Sequence, residues 1–272
     1  MAINLRGAPK ERQTYDMCLE SVKADWEQLQ FVDERYRTED LCREAIEQNG
    51  FAIQFVTKQT PELCLKAVRH RGGALAYVKN QTAEICLEAV RESGYAIQYV
   101  NEQTPEICLA AIRRWPDAIC HIKNQTPEMC IKAVKQDGLT LRHVKEQSSE
   151  ICLEAVKENG RALCFVKDQT PEICLAAVKQ DGHALYHVKN KVPDICLEAV
   201  KQNGLALKYV PKREQTLPIA IAALKQDPAC REFLAVKFRK PEVYKAAGYD
   251  YKPEDLAPSR SSTKRERTEP RH

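Results

Sequence analysis

Hydrophobic positions recur along the chain in one pattern, which residues 169–190, QTPEICLAAVKQDGHALYHVKN, illustrate. The first apolar residues of this stretch follow spacings of three and four, which is typical of an amphipathic α-helix and not of a strand. These residues are Ile173, Cys174, Leu175, Ala177 and Val178. Thr170 can accept a hydrogen bond from a free N–H of the first turn, and Pro171 suits the first helical position. The pattern therefore predicts an α-helix that begins at Pro171.

A glycine and a second apolar group follow this helix. Gly182 stands where a chain leaving an α-helix commonly turns left-handed, so we predict a positive φ there. A second short helix is predicted at about residues 184–189. Pro116 replaces the glycine in RRWPDAIC, where the junction is expected to bend differently because proline cannot adopt a left-handed turn. The glycines predicted to be structural are Gly50, Gly72, Gly94, Gly138, Gly160, Gly182 and Gly204.

A cysteine in the first helix marks the period of the pattern. Eight cysteines lie 22 residues apart: Cys42, Cys64, Cys86, Cys108, Cys130, Cys152, Cys174 and Cys196. Cys18 precedes this series by 24 residues, and Ala220 follows it by 24 in a diverged copy. One unit of this size cannot bury its own apolar face, so neighbouring units must stack. We predict an all-α solenoid of tandem helical hairpins, with about ten copies of a 22-residue αα unit.

The regularity of the pattern divides the chain. Residues 1–13 are predicted to be a flexible segment, and residues 14–237 form the solenoid, with 14–37 and 214–237 as diverged caps that meet water on one side. Residues 238–257 form a C-terminal extension. Residues 258–272 are rich in serine and charge and are predicted to be a disordered basic tail. This tail could contact an anionic partner, act as an import signal or only add solubility.

The cysteines, although twelve in number, do not predict disulfides. Nine occupy one repeat position on an apolar helix face, and packed helices are about 8–10 Å apart, which is too far for a disulfide between neighbours. Buried, reduced thiols are therefore expected, together with a cytoplasmic location. No CxxC or HxxxH pair is present, so we expect no metal and no cofactor. No apolar run is long enough for a membrane helix, so no membrane insertion is expected.

One further repeat position is always aromatic or histidine. The position lies thirteen residues after each repeated cysteine, and we call its residues the ladder. The candidate binding residues of the ladder are Tyr77, Tyr99, His121, His143, Phe165, His187 and Tyr209; Phe31, Phe55 and Phe233 extend it. Helical geometry places these rings on the flank of the apolar side, so they could pack between repeats or line a binding surface. Both interpretations remain open at this stage.

Three classes of function follow from the repeat. A scaffold that binds another protein or peptide is favoured, because solenoids present long surfaces and several positions near the ladder vary between copies. The position after the repeat glycine, for example, is Phe51, Gly73 or Tyr95 in different copies. The alternative is a single-stranded nucleic-acid binder, with rings that stack on bases and flanking lysines. Most of the net charge of +4 lies in the tail, so the repeats are nearly neutral, which disfavours binding to a nucleic acid. An enzyme is not expected, since no catalytic motif is present.

The residues also support a family resemblance. Copies such as residues 151–160, ICLEAVKENG, and residues 195–210 resemble the repeat of the family called domain of unknown function 4116. The resemblance covers residues 38–210 strongly and the ends weakly. It implies the same repeat type for the whole array. It transfers no functional residue, because no activity is assigned to the family.

Overall fold

The computed structural model describes residues 4–249, so the predicted basic tail and part of the extension lie outside the described residues. Each predicted repeat begins with one α-helix. The ten helices are α1 (Tyr15–Ala24), α2 (Glu39–Gln48), α3 (Pro61–His70), α4 (Ala83–Glu92), α5 (Pro105–Arg114), α6 (Pro127–Gln136), α7 (Ser149–Glu158), α8 (Pro171–Gln180), α9 (Pro193–Gln202) and α10 (Leu217–Gln226). A last helix, α11, spans Pro241–Ala246. We number the repeats by their α-helices.

The second element of each repeat is a 3-10 helix. These helices are Trp26–Phe31, Gly50–Phe55, Gly72–Tyr77, Gly94–Tyr99, Pro116–His121, Gly138–His143, Gly160–Phe165, Gly182–His187, Gly204–Tyr209 and Pro228–Phe233. Three shorter ones span Lys10–Arg12, Glu34–Tyr36 and Val236–Phe238. The expectation of a helix at about residues 184–189 was therefore wrong by two residues at each end. The described residues contain no strand, and the all-α tandem-repeat solenoid is confirmed.

The start of the α-helices agrees with the sequence pattern. The hydroxyl of Thr170 accepts a hydrogen bond from the N–H of Ile173 at 3.3 Å, and Pro171 is the first residue of α8. Val192 occupies the same position before α9 and has no side chain that could cap the helix. The predicted cap is therefore confirmed at Thr170, whereas Thr216 before α10 has a hydroxyl but makes no such bond.

The repeat glycines have a different role from the one predicted. Among the described residues only Gly7 and Gly248 have a positive φ, so the left-handed turn expected at Gly182 was wrong. Gly182 is instead the first residue of its 3-10 helix, where it lies against α9 of the next repeat. A Cβ atom at Gly182 would stand 2.6 Å from the carbonyl oxygen of Ala199. Close approach of two repeats, and not backbone conformation, therefore requires glycine here.

The proline that replaces one of these glycines also behaves differently from the prediction. Pro116 begins a six-residue 3-10 helix like those of the other repeats. Because the position needs no positive φ, the fixed φ of proline suits it. Pro228 begins the 3-10 helix of repeat 10 in the same way. The expectation that the junction at Pro116 bends differently was therefore wrong.

The described chain forms two compact units. One comprises the described residues up to Ala133 together with His143–Lys145, and the other comprises Val134–Arg142 and the described residues from Glu146 onward. In the first unit the helices α1 to α5 pack on one another in sequence, and in the second α7 to α11 do so. The nine repeated cysteines lie in these cores with at most 4% of their surface exposed, which confirms their predicted burial. Within the described residues, no helix is both long and apolar enough to cross a membrane.

A glutamine in front of most α-helices joins successive repeats. Gln169 donates from Nε2 to the carbonyls of Leu163 and His187, at 3.3 and 3.0 Å. Its Oε1 accepts the N–H of Lys189 at 2.9 Å and the thiol of Cys174 at 3.7 Å. Gln59, Gln81, Gln103, Gln125, Gln147 and Gln215 make the corresponding bonds to the next 3-10 helix. We call this residue the glutamine clamp.

Candidate functional site

The ladder residues are the last residues of their 3-10 helices. Tyr77, Tyr99, His121 and His143 belong to the first unit, and Phe165, His187 and Tyr209 to the second. Their side chains are half-buried, except that of Tyr77, which is 44% exposed. The backbone carbonyls of the first six accept the glutamine clamp. The position therefore has a structural use in the backbone, while its side chains remain partly accessible to solvent.

Four ladder side chains meet the residue that follows the repeat glycine, or the proline in its place, one repeat earlier. The ring pairs are Phe51–Tyr77, Tyr95–His121 and His183–Tyr209, with centroids 6.2, 5.5 and 6.0 Å apart. In the fifth repeat this position is Asp117, whose carboxylate lies 3.7 Å from Nε2 of His143. Within each unit, two rows of residues that vary between copies thus form a surface, which we call the 3-10 face of that unit.

Burial and nearby cations also act on a ladder histidine. Desolvation lowers the pKa of His187, and the positive charges of Arg161 and Lys191 lower it further. The neutral imidazole is therefore favoured at this position near pH 7. A neutral ring attracts an anionic partner less than the protonated histidine would.

The lysines that flank the ladder are used between repeats. The Nζ atoms of Lys79, Lys123, Lys145 and Lys189 each donate to the backbone carbonyl 22 residues earlier, at 3.1, 3.5, 2.8 and 2.9 Å. Their side chains follow the surface of the preceding loop and remain exposed. Because one donor of each ammonium group is already bonded, these lysines are less available to a phosphate backbone than the sequence suggested.

The first unit has a groove on the 3-10 face, which we call the aromatic groove. Its volume is about 500 Å³, within the range of pockets that bind small ligands or single side chains. The residues that define it are Phe51, Arg71, Gly73, Tyr95, Arg114 and Trp115. Their side chains come from the 3-10 helices of repeats 2 to 4 and from the helix ends that precede those of repeats 3 and 5.

The groove exists because one side chain is missing from the variable row. Consecutive repeats carry Phe51, Gly73 and Tyr95 at this position, so Gly73 leaves a gap between two rings. A Cβ atom at Gly73 would approach Phe51 Cζ at 3.4 Å, an ordinary van der Waals contact, and the φ of Gly73 is not positive. Unlike Gly182, Gly73 is therefore not required by packing. Other repeats place a leucine here, such as Leu139 and Leu205.

The rings around the groove form one cluster. Tyr95 contacts Trp115 with centroids 5.6 Å apart and an interplanar angle of 57°. Tyr95 also meets Tyr99 and His121 in edge-to-face arrangements, and Trp115 lies 6.0 Å from His121. Despite these contacts Tyr95 is 48% exposed. Large rings held by neighbours but open to water are the usual anchors of protein recognition.

Three repeats lack the hydrogen bond that caps the start of the 3-10 helix in the other repeats. In seven repeats the residue before the 3-10 helix is Asn or Asp, and its side chain accepts the N–H two residues later; Asn49, Asp137 and Asn203 are examples. At Arg71, Ser93 and Trp115 no such bond forms. These three residues follow one another in repeats 3, 4 and 5 and all line the groove. The three departures from the repeat pattern thus all lie in the aromatic groove.

The charges of the groove are mixed. Arg71 and Arg114 contribute guanidinium groups, and Glu92 contributes a carboxylate whose Oε2 accepts the N–H of Gly72. The Nε of Arg114 donates to the carbonyl of Glu92 at 3.3 Å. The groove can therefore bind a carboxylate and, through the second oxygen of Glu92, an N–H donor.

The repeated cysteines offer little reactivity. Burial raises the pKa of the thiols of Cys42 and Cys196 to about 11. It also raises the pKa of Cys230, a buried cysteine outside the repeated position, to about 12. A thiol at these positions stays protonated near pH 7, so it is a poor nucleophile. In the described part of the chain, no three His, Cys, Asp or Glu side chains are grouped so that they could hold a metal ion.

Sequence reasoning identified only parts of the groove. It singled out Trp115–Pro116 as irregular and Phe51, Gly73 and Tyr95 as variable, but it did not bring them together. It assigned no binding role to Arg71 or Arg114. The available signal was the change from Asn or Asp to Arg, Ser and Trp at one repeat position in three successive copies.

Comparisons with curated proteins and with solved structures find no match to the chain. A family model described as Domain of unknown function (DUF4116) matches residues 15–60, 126–170, 148–192 and 170–215, which together cover half of the chain. The last three matches start 22 residues apart, which is the period of the repeated cysteines. Because these matches follow the chain's own repeats, the protein belongs to the family Domain of unknown function (DUF4116).

Proposed function

We propose that this protein is a recognition scaffold that binds an extended segment of a partner protein in the aromatic groove. The observation that carries the proposal is the convergence of departures from the repeat pattern. Arg71, Ser93 and Trp115 give up a capping hydrogen bond, Gly73 omits a side chain, and all four line one groove. Sites at which local stability is given up are commonly sites of function.

The proposal is for binding without catalysis. It is supported by the high pKa of the repeated thiols, which stay protonated near pH 7 and are therefore poor nucleophiles. Free thiols in such number are suited to a reducing compartment, so we also propose that the protein acts in the cytoplasm.

The test uses a peptide-display library and the full chain. Wild-type protein is immobilised and peptides are selected, and their affinities are then compared on a Gly73→Leu variant. Leucine fills the gap with a residue that other repeats carry at this position, so the fold is expected to persist. We expect at least a tenfold loss of affinity for the selected peptides.

The matched control is Leu139→Tyr, which adds bulk at the equivalent position of repeat 6. It should leave the selected peptides bound as tightly as the wild type does. If Gly73→Leu binds them with unchanged affinity, or if the library yields no binder, the aromatic groove is not a peptide site. Oligonucleotides that bind in a way sensitive to Gly73→Leu would instead favour the nucleic-acid alternative.

A further inference from the structure

The edge of the aromatic groove carries a concentration of arginine. At the carboxyl ends of α3, α4 and α5 the residues are Arg69-His70-Arg71, Arg91-Glu92-Ser93 and Arg113-Arg114-Trp115. With neutral histidine, these nine residues have a formal charge of +4. The equivalent residues of α6, α7 and α8 are Lys135-Gln136-Asp137, Lys157-Glu158-Asn159 and Lys179-Gln180-Asp181, with a formal charge of zero. We call the five arginines of the first set the arginine edge.

The side chains of two of the five arginines form no hydrogen bond or ion pair with any other described residue. Glu88 neutralises two of the arginines, since its Oε2 lies 2.9 Å from Nε of Arg69 and its Oε1 lies 2.9 Å from Nη1 of Arg91. The guanidinium groups of Arg71 and Arg113 make no hydrogen bond or ion pair within residues 4–249. Arg71 lines the aromatic groove, and Arg113 lines a second groove, of about 320 Å³, on the α-helical side. Arg114 belongs to both, so the two grooves meet at this edge.

Two of these arginines replace residues that would serve the fold better. At the position of Arg114, Gln180 accepts the N–H of Gly160 at 2.6 Å and donates to the carbonyl of Glu158 at 3.2 Å. Arginine has only donors, so it can make the second bond but not the first. At the position of Arg71, Asn159 accepts the N–H of Arg161 at 3.0 Å, whereas Arg71 caps nothing. Arginine therefore makes fewer hydrogen bonds within the array at these two positions than glutamine or asparagine makes in the other repeats.

The chemistry of the groove points to a polypeptide and not to a nucleic acid. The carboxylate of Glu92 lies in the groove, where it could accept an N–H of a peptide backbone, a donor that a phosphodiester backbone lacks. The rings of Phe51–Tyr77, Tyr95–Trp115 and Tyr95–His121 meet at 90°, 57° and 88°. They therefore do not present the succession of parallel faces that stacked bases require.

We propose that the arginine edge selects partners with acidic segments. The inference rests on the proposed function and narrows it. Aspartate or glutamate carboxylates of the partner bind Arg71 and Arg114, and an adjacent apolar or aromatic side chain enters the gap at Gly73. Guanidinium groups bind carboxylates through paired, charge-assisted hydrogen bonds, which gives both affinity and orientation.

The test replaces two arginines by the residues that stand at the equivalent positions of other repeats. The double variant Arg71→Asn/Arg114→Gln removes two charges and restores the residues that cap and bridge elsewhere in the array, so its melting temperature should equal or exceed that of the wild type. The control is Lys157→Gln/Lys179→Gln, which removes the same charge from repeats 7 and 8. The probe is a fluorescein-labelled octapeptide that alternates glutamate with tryptophan or leucine, followed by fluorescence anisotropy.

We expect the acidic peptide to bind the wild type and the lysine control equally, and the arginine variant at least tenfold more weakly. The slope of log Kd against log salt concentration should be shallower for the arginine variant, because fewer charge pairs between protein and peptide are left for salt to screen. The same peptide with glutamine in place of glutamate should bind the wild type at least tenfold more weakly.

Several outcomes would overturn the inference. If library-selected peptides lose affinity on Gly73→Leu but tolerate the arginine double variant, the groove binds peptides and the acidic requirement is wrong. Loss of affinity in the lysine control as large as in the arginine variant would show an effect of net charge only. Tighter binding of a phosphoserine analogue, or of an oligothymidylate of eight nucleotides, would assign the arginine edge to phosphate instead of carboxylate.

Discussion

The glutamine clamp predicts how the repeats are held together, and Gln169→Leu tests it. Leucine has a similar size but has no polar atoms. The substitution removes the bonds from Nε2 to the carbonyls of Leu163 and His187 and the bond that Oε1 accepts from the N–H of Lys189. Three bonds from the clamp to backbone groups of repeats 7 and 8 are then lost, together with the bond of the Cys174 thiol, although the carbonyl of Leu163 still accepts the N–H of Val166 at 3.2 Å.

The size of the effect follows from these bonds. A typical neutral hydrogen bond contributes about 0.5–1.5 kcal/mol net, and three of them give an upper value of about 4.5 kcal/mol. Gln169 is half-buried, so water can reach part of the site and satisfy some of the freed groups. We therefore expect the free energy of unfolding to fall by about 2–3 kcal/mol.

The assay is urea denaturation followed by circular dichroism at 222 nm. Because stability in a repeat array depends on coupling between neighbours, a weakened interface should lower the midpoint and broaden the transition as the two sides begin to unfold separately. A single sharp transition at the wild-type midpoint would refute the assignment of the clamp as a coupling element.

Lys191 provides the matched control, because it occupies the clamp position before α9. Its Nζ donates to the carbonyl of Val188 at 2.6 Å, and the residue 20 positions later is Pro211, which has no N–H to donate. Lys191→Leu therefore removes fewer bonds between repeats and should lower the midpoint less than Gln169→Leu does. Equal losses for both variants would mean that the clamp geometry is unimportant.

Three further predictions concern other positions. Gly182→Ala should lower the free energy of unfolding by about 1–3 kcal/mol, because the added Cβ overlaps a backbone carbonyl of α9, and an unchanged thermal melt would contradict that reason. Native iodoacetamide labelling followed by mass spectrometry should modify exposed Cys120 quickly and buried Cys108 only after unfolding; equal rates would contradict the burial of the repeated thiols. The lowered pKa of His187 means that protonation favours the unfolded chain, so stability should fall as pH drops below about 6.5, and His187→Phe should reduce this loss in urea titrations at pH 7.5 and 5.5. A pH dependence unaffected by His187→Phe would assign it to other groups.

Much of the frame could be predicted from the sequence, because each prediction used residues close together in the chain. The capping Thr170, the proline at the start of α8 and the apolar face around Cys174 all act within one helix. Their repetition in ten copies made stacking the only way to bury the apolar faces. The burial of the repeated cysteines followed from the same periodicity.

The errors arose where the cause lies in another repeat. Gly182 follows an α-helix, which made a left-handed turn the natural interpretation, but the atom that excludes a side chain belongs to Ala199 of the next repeat. The 3-10 form of the second helix was also not predictable from its apolar residues, since Ala184, Leu185 and Val188 fit a period of 3.0 residues as well as one of 3.6. Single-copy patterns contain no information about such contacts.

The aromatic groove could not be assembled from the sequence for a related reason. Phe51 and Trp115 are 64 positions apart in the chain, and only the stacked frame brings both to one groove. The anomalies themselves were visible, since Arg71, Ser93 and Trp115 interrupt an Asn or Asp position. Their meaning required knowing that this position caps a 3-10 helix and that three successive copies share one surface.

A repeat array is well suited to a site made of such departures. Stability in an array is approximately a sum over repeats and their interfaces, so a lost cap or a missing bridge costs only its own local free energy. Repeats 3 to 5 lie inside the series, where each is held by neighbours on both sides, and Cys64, Cys86 and Cys108 remain as buried there as in other copies. The frame can therefore carry uncapped helix starts and unpaired arginines at the groove without losing its core. A single globular core has no comparable set of regular copies on either side. Three lost caps and one missing side chain placed together in such a core would all lower the free energy of unfolding of the same cooperative unit.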